Sequence, residues 1–193
     1  MKKVIVTGGA GFIGSYLVRD LRNLGHEVGV VDIAEDPKRD VRNLETLRPL
    51  FSGMDCVFHL AALPSVPYSI DHPAETNLTN LTGTLNVLIA ARDAGVRRVI
   101  FSSSAAVYGD QESLPVKEDA ELRPKSPYAL QKLESEMYLR LFSDIYEVET
   151  VSLRYFNVYG DGQNPKGPYA SAIPIFLEQR KSGKPLTIVG DGK

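Results

Sequence analysis

The stretch Lys3-Val4-Ile5-Val6-Thr7-Gly8-Gly9-Ala10-Gly11-Phe12-Ile13-Gly14 constrains the fold more than any other. Val4-Ile5-Val6 is a short β-branched run of the kind that fills a parallel strand buried on both faces. It leads straight into glycines at 8, 11 and 14, and behind them Ile13, Leu17, Leu21 and Leu24 recur at helical spacing. A strand that turns through glycines into a helix presents unpaired N–H groups and the positive end of the helix dipole, which together form an anion site. In this reading Gly8 makes the tight turn, Gly11 lets backbone approach a pyrophosphate, and Gly14 lets the helix pack close to the strand.

The spacing is Gly-x-x-Gly-x-x-Gly, and its context gives it weight. A second strand, Glu27 to Asp32, follows the helix and ends in an acid 18 positions after Gly14. That is near the roughly 20 residues expected for a carboxylate that binds a ribose hydroxyl. Asp32 would repel a 2′-phosphate, so the pattern predicts NAD rather than NADP.

The remaining chain repeats the alternation of strand and helix. Strands are expected over 55–60, 97–101, 148–154 and 186–189, and helices over 44–51, 73–94, 127–142 and 172–182. The loop 63–67 holds Pro64 and Pro67, and helix is not expected to cross it. This pattern predicts an α/β fold with a doubly wound parallel sheet. The 193 residues leave room for one domain with a substantial core and the start of another. A net charge of −2 gives no electrostatic case for nucleic acid or an anionic membrane, so a phosphate-bearing ligand must be held by local donors. No apolar run approaches the roughly 20 residues of a membrane span. The single cysteine, Cys56, excludes a disulfide within the chain and agrees with a cytoplasmic location.

Three places carry chemistry. Ala61-Ala62 at the end of the third strand leave room for a ligand across the sheet edge, while His59 just before them reads as a satisfied core histidine. Ser102-Ser103-Ser104 end the fourth strand and face the crevice where open α/β sheets bind ligands. Ser126-Pro127 starts the next helix, with serine as cap and proline at the first position. Tyr128 and Lys132 stand one turn apart on that helix. An ammonium beside a phenol lowers its pKa and makes tyrosine a usable general base.

Taken in order, the glycine stretch, Asp32, His59-Leu60-Ala61-Ala62, Asn80-Leu81-Thr82-Gly83-Thr84, Ser102 to Gly109, Tyr128-x-x-x-Lys132 and Arg154-Tyr155-Phe156-Asn157-Val158-Tyr159-Gly160 form a recognisable set. The chain resembles the extended short-chain dehydrogenase/reductases, and within them the nucleotide-sugar epimerases of the UDP-glucose 4-epimerase group. The resemblance implies a Rossmann-type NAD-binding domain over 1–160. It implies that 161–193 is only the start of a substrate-binding part, so that the chain is C-terminally truncated.

The resemblance also implies C4 epimerisation of a UDP-hexose of the UDP-glucose/UDP-galactose type through a transient 4-keto sugar. Ser104, Tyr128 and Lys132 take the catalytic positions. Gly8, Gly11, Phe12, Ile13, Gly14, Asp32, Asp40, Val41, Leu60, Ala61, Ala62, Asn80, Ser102, Tyr128, Lys132, Tyr155 and Val158 take cofactor positions. Ser65, Val66, Ser103, Ser104, Tyr128 and Asn157 take substrate positions, and no metal is implied. Relatives pair two helices per subunit as a homodimer, here expected to be 73–94 and 127–142. Two other readings are an inactive cofactor-binding fragment and a sugar 4,6-dehydratase or UDP-glucuronate decarboxylase. Against the last two stand Ala105-Ala106, where the dehydratases carry an Asp-Glu pair and the decarboxylases a glutamate at the second position.

Overall fold

The computed structural model describes residues 2–165, 172–188 and 190. The chain divides into two units, Met1–Phe156 and Asn157–Lys193. In the first, five parallel strands lie in the order β2-β1-β3-β4-β5. They are β1 (Lys3–Thr7), β2 (Glu27–Val31), β3 (Cys56–His59), β4 (Arg98–Ser104) and β5 (Glu149–Tyr155). The order reverses between β1 and β3, which is where an open α/β sheet leaves a crevice at its carboxyl edge.

Alternation along the strands sends side chains to two cores. Val4 and Val6 of β1 join Val18 and Val30 under α1 (Phe12–Asn23). Ile5 points the other way and joins Leu47, Phe51, Val57, Leu88, Phe101 and Leu139. Those last residues bring together α2 (Leu44–Phe51), α5 (Gly83–Asp93) and α6 (Pro127–Tyr146) on the opposite face. Helices on both faces of a parallel sheet make the doubly wound fold that the sequence predicts.

Two elements differ from expectation. Helix does enter the proline stretch, as α3 (Val66–Asp71): the Ser65 hydroxyl accepts the Tyr68 N–H at 3.1 Å, and Pro67 falls in the first turn, where its missing N–H costs nothing. The expected 73–94 helix is α4 (Pro73–Asn77), a π-helical turn (Leu78–Thr82) and α5 in unbroken succession. Within this turn the Asn80 carbonyl accepts hydrogen bonds from the hydroxyls of Thr84 at 2.6 Å and Ser135 at 3.2 Å.

In the second unit, α7 (Ala172–Lys181) carries Pro174 in its first turn. The expected strand at 186–189 is not found over 186–188, and Val189 lies outside the described residues. The reason is local. The Thr187 N–H donates to Gln179 Oε1 at 3.1 Å and the Gln179 amide returns a bond to Thr187 Oγ1 at 2.7 Å, so the helix takes the donor that a strand would need.

The glycines sort by what surrounds them. Gly8 has φ +71°, and a Cβ there would meet the Ala61 nitrogen at 2.7 Å. At Gly14 a Cβ would lie 2.1 Å from the Gly8 carbonyl oxygen, a backbone atom that cannot step aside. At Gly11 the nearest atom is that same oxygen at 3.2 Å. Gly14→Ala is therefore expected to lower the thermal midpoint by several degrees, through overpacking of about 1–3 kcal/mol, and Gly11→Ala to lower it much less. Calorimetric scans of the two variants check this.

Candidate active site

The carboxyl ends of β1 and β4 each hold a group of polar atoms. At β1, the chain passes from Thr7 through the glycine turn to α1, whose N-cap is Gly11 with no side chain closing it. Phe12, Ile13 and Gly14 form the opening turn, and their N–H groups are the donors that such an end leaves for a ligand. Asp32 stands at the end of β2 with one carboxylate oxygen accepting the Ala10 N–H at 3.0 Å and the other the Ala34 N–H at 2.9 Å. Its position beside the glycine turn is thus fixed by backbone. The nearby Arg39 is committed elsewhere, donating to the Val30 carbonyl at 2.8 Å and pairing with Asp36. An open helix end, a glycine cradle and a pinned carboxylate are a donor and acceptor set that fits a dinucleotide.

Asp40 is held by Arg42, whose guanidinium keeps the carboxyl below the ordinary carboxylate range. Val41 packs on α5, where a Cβ at Gly83 would meet Val41 at 2.8 Å, and its carbonyl accepts from the Asn86 amide at 3.0 Å. The small residue in that helix thus serves close packing.

Beyond β3, the loop at Leu60, Ala61 and Ala62 is tied to β1. The Leu60 N–H donates to the Thr7 carbonyl at 3.0 Å and the Ala61 N–H to the Thr7 hydroxyl at 3.2 Å. Asn80 grips the next residue, its Oδ1 accepting the Leu63 N–H at 2.8 Å and its Nδ2 donating to the Leu63 carbonyl at 3.1 Å. The second Nδ2 hydrogen goes to Gln131 Oε1 at 2.9 Å. Both hydrogens of the Asn80 amide are engaged inside the protein, so its side chain positions this loop.

His59 is 1% exposed and lies between two hydroxyls. Thr84 spends its proton on the Asn80 carbonyl, so the imidazole Nε2–H must donate to Thr84 Oγ1 at 2.9 Å. Nδ1 then accepts the Thr7 hydroxyl proton at 2.7 Å. This fixes a neutral tautomer and a one-way chain from Thr7 to Asn80. It agrees with the reading of His59 as a core histidine.

At β4, the 3-10 turn Ala105–Tyr108 starts on Ser104, whose Oγ accepts the Ala106 N–H at 3.2 Å. Tyr128 opens α6, and Ser69 of α3 accepts its N–H at 3.1 Å. Lys132, one turn on, is 2% exposed. Its ammonium donates to the Ser102 carbonyl at 2.7 Å and lies 4.6 Å from the Phe101 ring and 5.9 Å from the Tyr128 ring. The end of β4 and the first turns of α6 thus bring Ser104, Tyr128 and Lys132 into one neighbourhood.

The electrostatics differ from expectation. Burial raises the Tyr128 phenol above its ordinary value, with the Ser104 hydroxyl pulling the other way. The expected lowering by Lys132 is absent, because burial also drives that ammonium down to about 7.

Ser103 alternates to the other side of β4, and its hydroxyl donates to Glu136 in a short hydrogen bond. Ser65 is spent as the cap of α3, and the Val66 carbonyl accepts the Ser69 hydroxyl at 2.7 Å. Tyr155 ends β5 opposite Ser104, its phenol raised by burial. Asn157 and Val158 belong to the second unit and are exposed. Sequence reasoning missed Ser69, Gln131, Ser135 and Glu136. Gln131, Ser135 and Glu136 lie on α6 among its apolar positions, and a polar residue at a core-facing helical position was the available signal.

The glycine turn with its pinned Asp32, and the Ser104, Tyr128 and Lys132 group, lie at the carboxyl ends of strands of one parallel sheet of Rossmann type. Residues 4–193 match the model of the NAD dependent epimerase/dehydratase family. The chain belongs to that family. It is 36% identical to a putative UDP-glucose 4-epimerase of Methanocaldococcus jannaschii, covering 98% of this chain and 66% of the relative. Among solved structures, the UDP-N-acetylglucosamine 4-epimerase of Methanobrevibacter ruminantium, in complex with UDP-N-acetylmuramic acid, superposes with a TM-score of 0.93 at 39% identity, over 99% of this chain and 66% of that one. The Thermus thermophilus UDP-glucose 4-epimerase complexed with NAD gives 0.87 at 39% identity, over 96% and 65%. The chain thus spans about two thirds of the length of these relatives.

Because the folded pKa of His59, about 3, lies below the ordinary value of 6.5, the folded state takes up this proton later than the unfolded chain does. The contribution is complete above about pH 6.5 and is lost as pH falls from there toward 3. Between pH 6.5 and 4.5 the urea midpoint is expected to fall by an amount worth on the order of 1–3 kcal/mol. His59→Gln should flatten that segment of the curve.

Proposed function

We propose that the chain carries the reaction centre of an NAD-dependent nucleotide-sugar 4-epimerase acting on a UDP-hexose. The observation that carries this reading is the convergence of Ser104, Tyr128 and buried Lys132 on the sheet edge that also bears the glycine cradle and Asp32. Gly8, Gly11, the opening N–H groups of α1, Asp32 and the Leu60–Ala62 loop would hold NAD, with Lys132 reaching its ribose. When bound, NAD supplies the oxidation of C4 to a ketone and its reduction back.

The chain's own residues move the proton. Ser104 Oγ would orient the C4 hydroxyl toward the Tyr128 phenolic oxygen, which takes the proton and later returns it to O4 once the 4-keto sugar has turned over. Lys132, when protonated, stabilises the phenolate. A cation bound beside the ring would act against the burial that raises this phenol. Ala105 and Ala106 offer no carboxylate for elimination, which disfavours dehydration and decarboxylation.

Self-association belongs to the same proposal. Leu78, Leu130, Met137 and Leu141 are 46–64% exposed on the π turn and α6. Leu78 and Leu130, with Pro73 and Pro127, line an open, mainly apolar groove of about 540 Å³. A second copy of the chain, pairing these helices across a two-fold axis, is the occupant that fits a self-complementary apolar face. No helix of the described residues is long and apolar enough to cross a membrane, and the proposed location is the cytoplasm.

With NAD present, the protein is expected to form UDP-glucose from UDP-galactose, read by chromatography. Tyr128→Phe should remove at least about two orders of magnitude of rate while leaving NAD affinity by calorimetry nearly unchanged. Unchanged turnover in that variant would reject Tyr128 as the base. In the unmutated protein NAD should bind more tightly than NADP, and Asp32→Ala should narrow the gap.

A further inference from the structure

Lys132 is a buried cation whose direct contacts are neutral, the Ser102 carbonyl and the Phe101 ring. A buried ammonium needs negative charge nearby if it is to stay protonated. One turn further along α6 stands Glu136, its side chain 11% exposed. The two charged ends reach adjacent residues of β4, the Lys132 ammonium bonding the Ser102 carbonyl and the Glu136 carboxylate accepting the Ser103 hydroxyl. Glu136 raises the affinity of Lys132 for its proton, against burial.

Glu136 is shared. Its Oε1 accepts the Ser103 hydroxyl and Arg154 Nε at 3.0 Å, while Oε2 accepts Arg154 Nη2 at 2.7 Å. Arg154 is itself fixed, with Nη1 donating to the Tyr108 hydroxyl at 2.9 Å and to the Glu118 carbonyl at 3.1 Å. Its guanidinium carbon lies 4.8 Å from the Tyr108 ring. Two cations thus act on one carboxylate, Arg154 through a fork and Lys132 through space.

We propose that Glu136 is the counter-charge of Lys132 and that Arg154, by holding the same carboxylate, sets how much of that charge reaches the lysine. Both are positioning residues. The bearing of this on catalysis rests on the reading of Lys132 given above; the charge coupling does not. Other titratable or charged groups around the cluster include Tyr128 on α6, His59 on β3, Tyr108 on the 3-10 turn, Tyr155 next to Arg154 on β5, and Glu118, whose carbonyl accepts from Arg154. Helices α3, α4 and α5 bring Ser69, Thr76 and Thr84 against α6 and its neighbours, and β4 brings Ser102 and Ser103; none of these titrates.

The two partners act on Lys132 with opposite sign. Removing Glu136 leaves two cations in one poorly solvated site, so the lysine gives up its proton more readily. Removing Arg154 leaves the carboxylate to Lys132 alone, so the lysine holds its proton more tightly. A purely structural role would move Lys132 the same way in both cases, through the same loosening of α6.

The test is an NMR titration of the ¹³C-labelled lysine side chains in the full chain without ligand, with the Lys132 signal assigned through K132R. E136Q should lower the Lys132 pKa by about one unit and R154M should raise it by about one unit, while E136D, which keeps the charge, stays near the unmutated value. Shifts of the same sign in E136Q and R154M, or no shift in either, overturn the proposal. If E136Q does not fold, R154M decides alone: a rise supports the coupling and a fall or no change refutes it. Because no cofactor or sugar is present, a failure here is distinct from a failure of the proposed activity. Where activity is measured, the pH limb assigned to Lys132 should move with its NMR pKa.

Discussion

The carboxyl end of β4 and the start of α6 depend on burying one ammonium. Lys132 enters the interior between β4 and α6 with 2% of its surface exposed. A bare charge placed there costs several kcal/mol. The surroundings offset that with the Ser102 carbonyl, the face of Phe101 and the charge of Glu136. The same requirement explains the polar interior of α6. Gln131, Lys132 and Ser135 are buried on one helix, and each has a hydrogen-bond partner. Fully satisfied networks of this kind rigidify what they touch. What they touch here is the helix that presents Tyr128.

The polar groups at the ends of β1 and β4 stand on separate strands, and the fold links them through β3. The chain Thr7–His59–Thr84–Asn80 runs from the end of β1 into the π turn, and Asn80 continues to Leu63 and Gln131. The turn that precedes the glycines is thereby joined to the helix that carries Tyr128. A neutral imidazole suits this role because it can accept on one side and donate on the other. A protonated ring would set a donor against the Thr7 hydroxyl and break the direction of the chain.

What the sequence reveals is local in character. Gly8, Gly11 and Gly14, Asp32, the Ser126-Pro127 start and the Tyr128–Lys132 pair are set by spacing along one strand or one turn of helix. Their placement follows once the strand and helix periods are recognised. Glu136, Ser69 and Gln131 gain meaning only from residues far away in the chain: Arg154, the Tyr128 backbone, and Asn80 with Thr76. The helix in the proline loop was missed because Ser65 capping outweighs a rule about proline in helix interiors. The 186–189 strand was overread because the side chain of Gln179 takes the Thr187 N–H. The direction of the Tyr128 phenol in the chain alone depends on the depth at which it and Lys132 are buried, which sequence does not show.

The central claim is that one chain holds both the cradle for NAD and the group that moves the sugar's proton, so that oxidation and reduction occur on one carbon within one site. UDP-galactose labelled with deuterium at C4, incubated with the protein and NAD, tests this most directly. The account predicts UDP-glucose that keeps the deuterium at C4. Loss of the label to solvent, or no UDP-glucose from a protein shown to bind NAD, would contradict it.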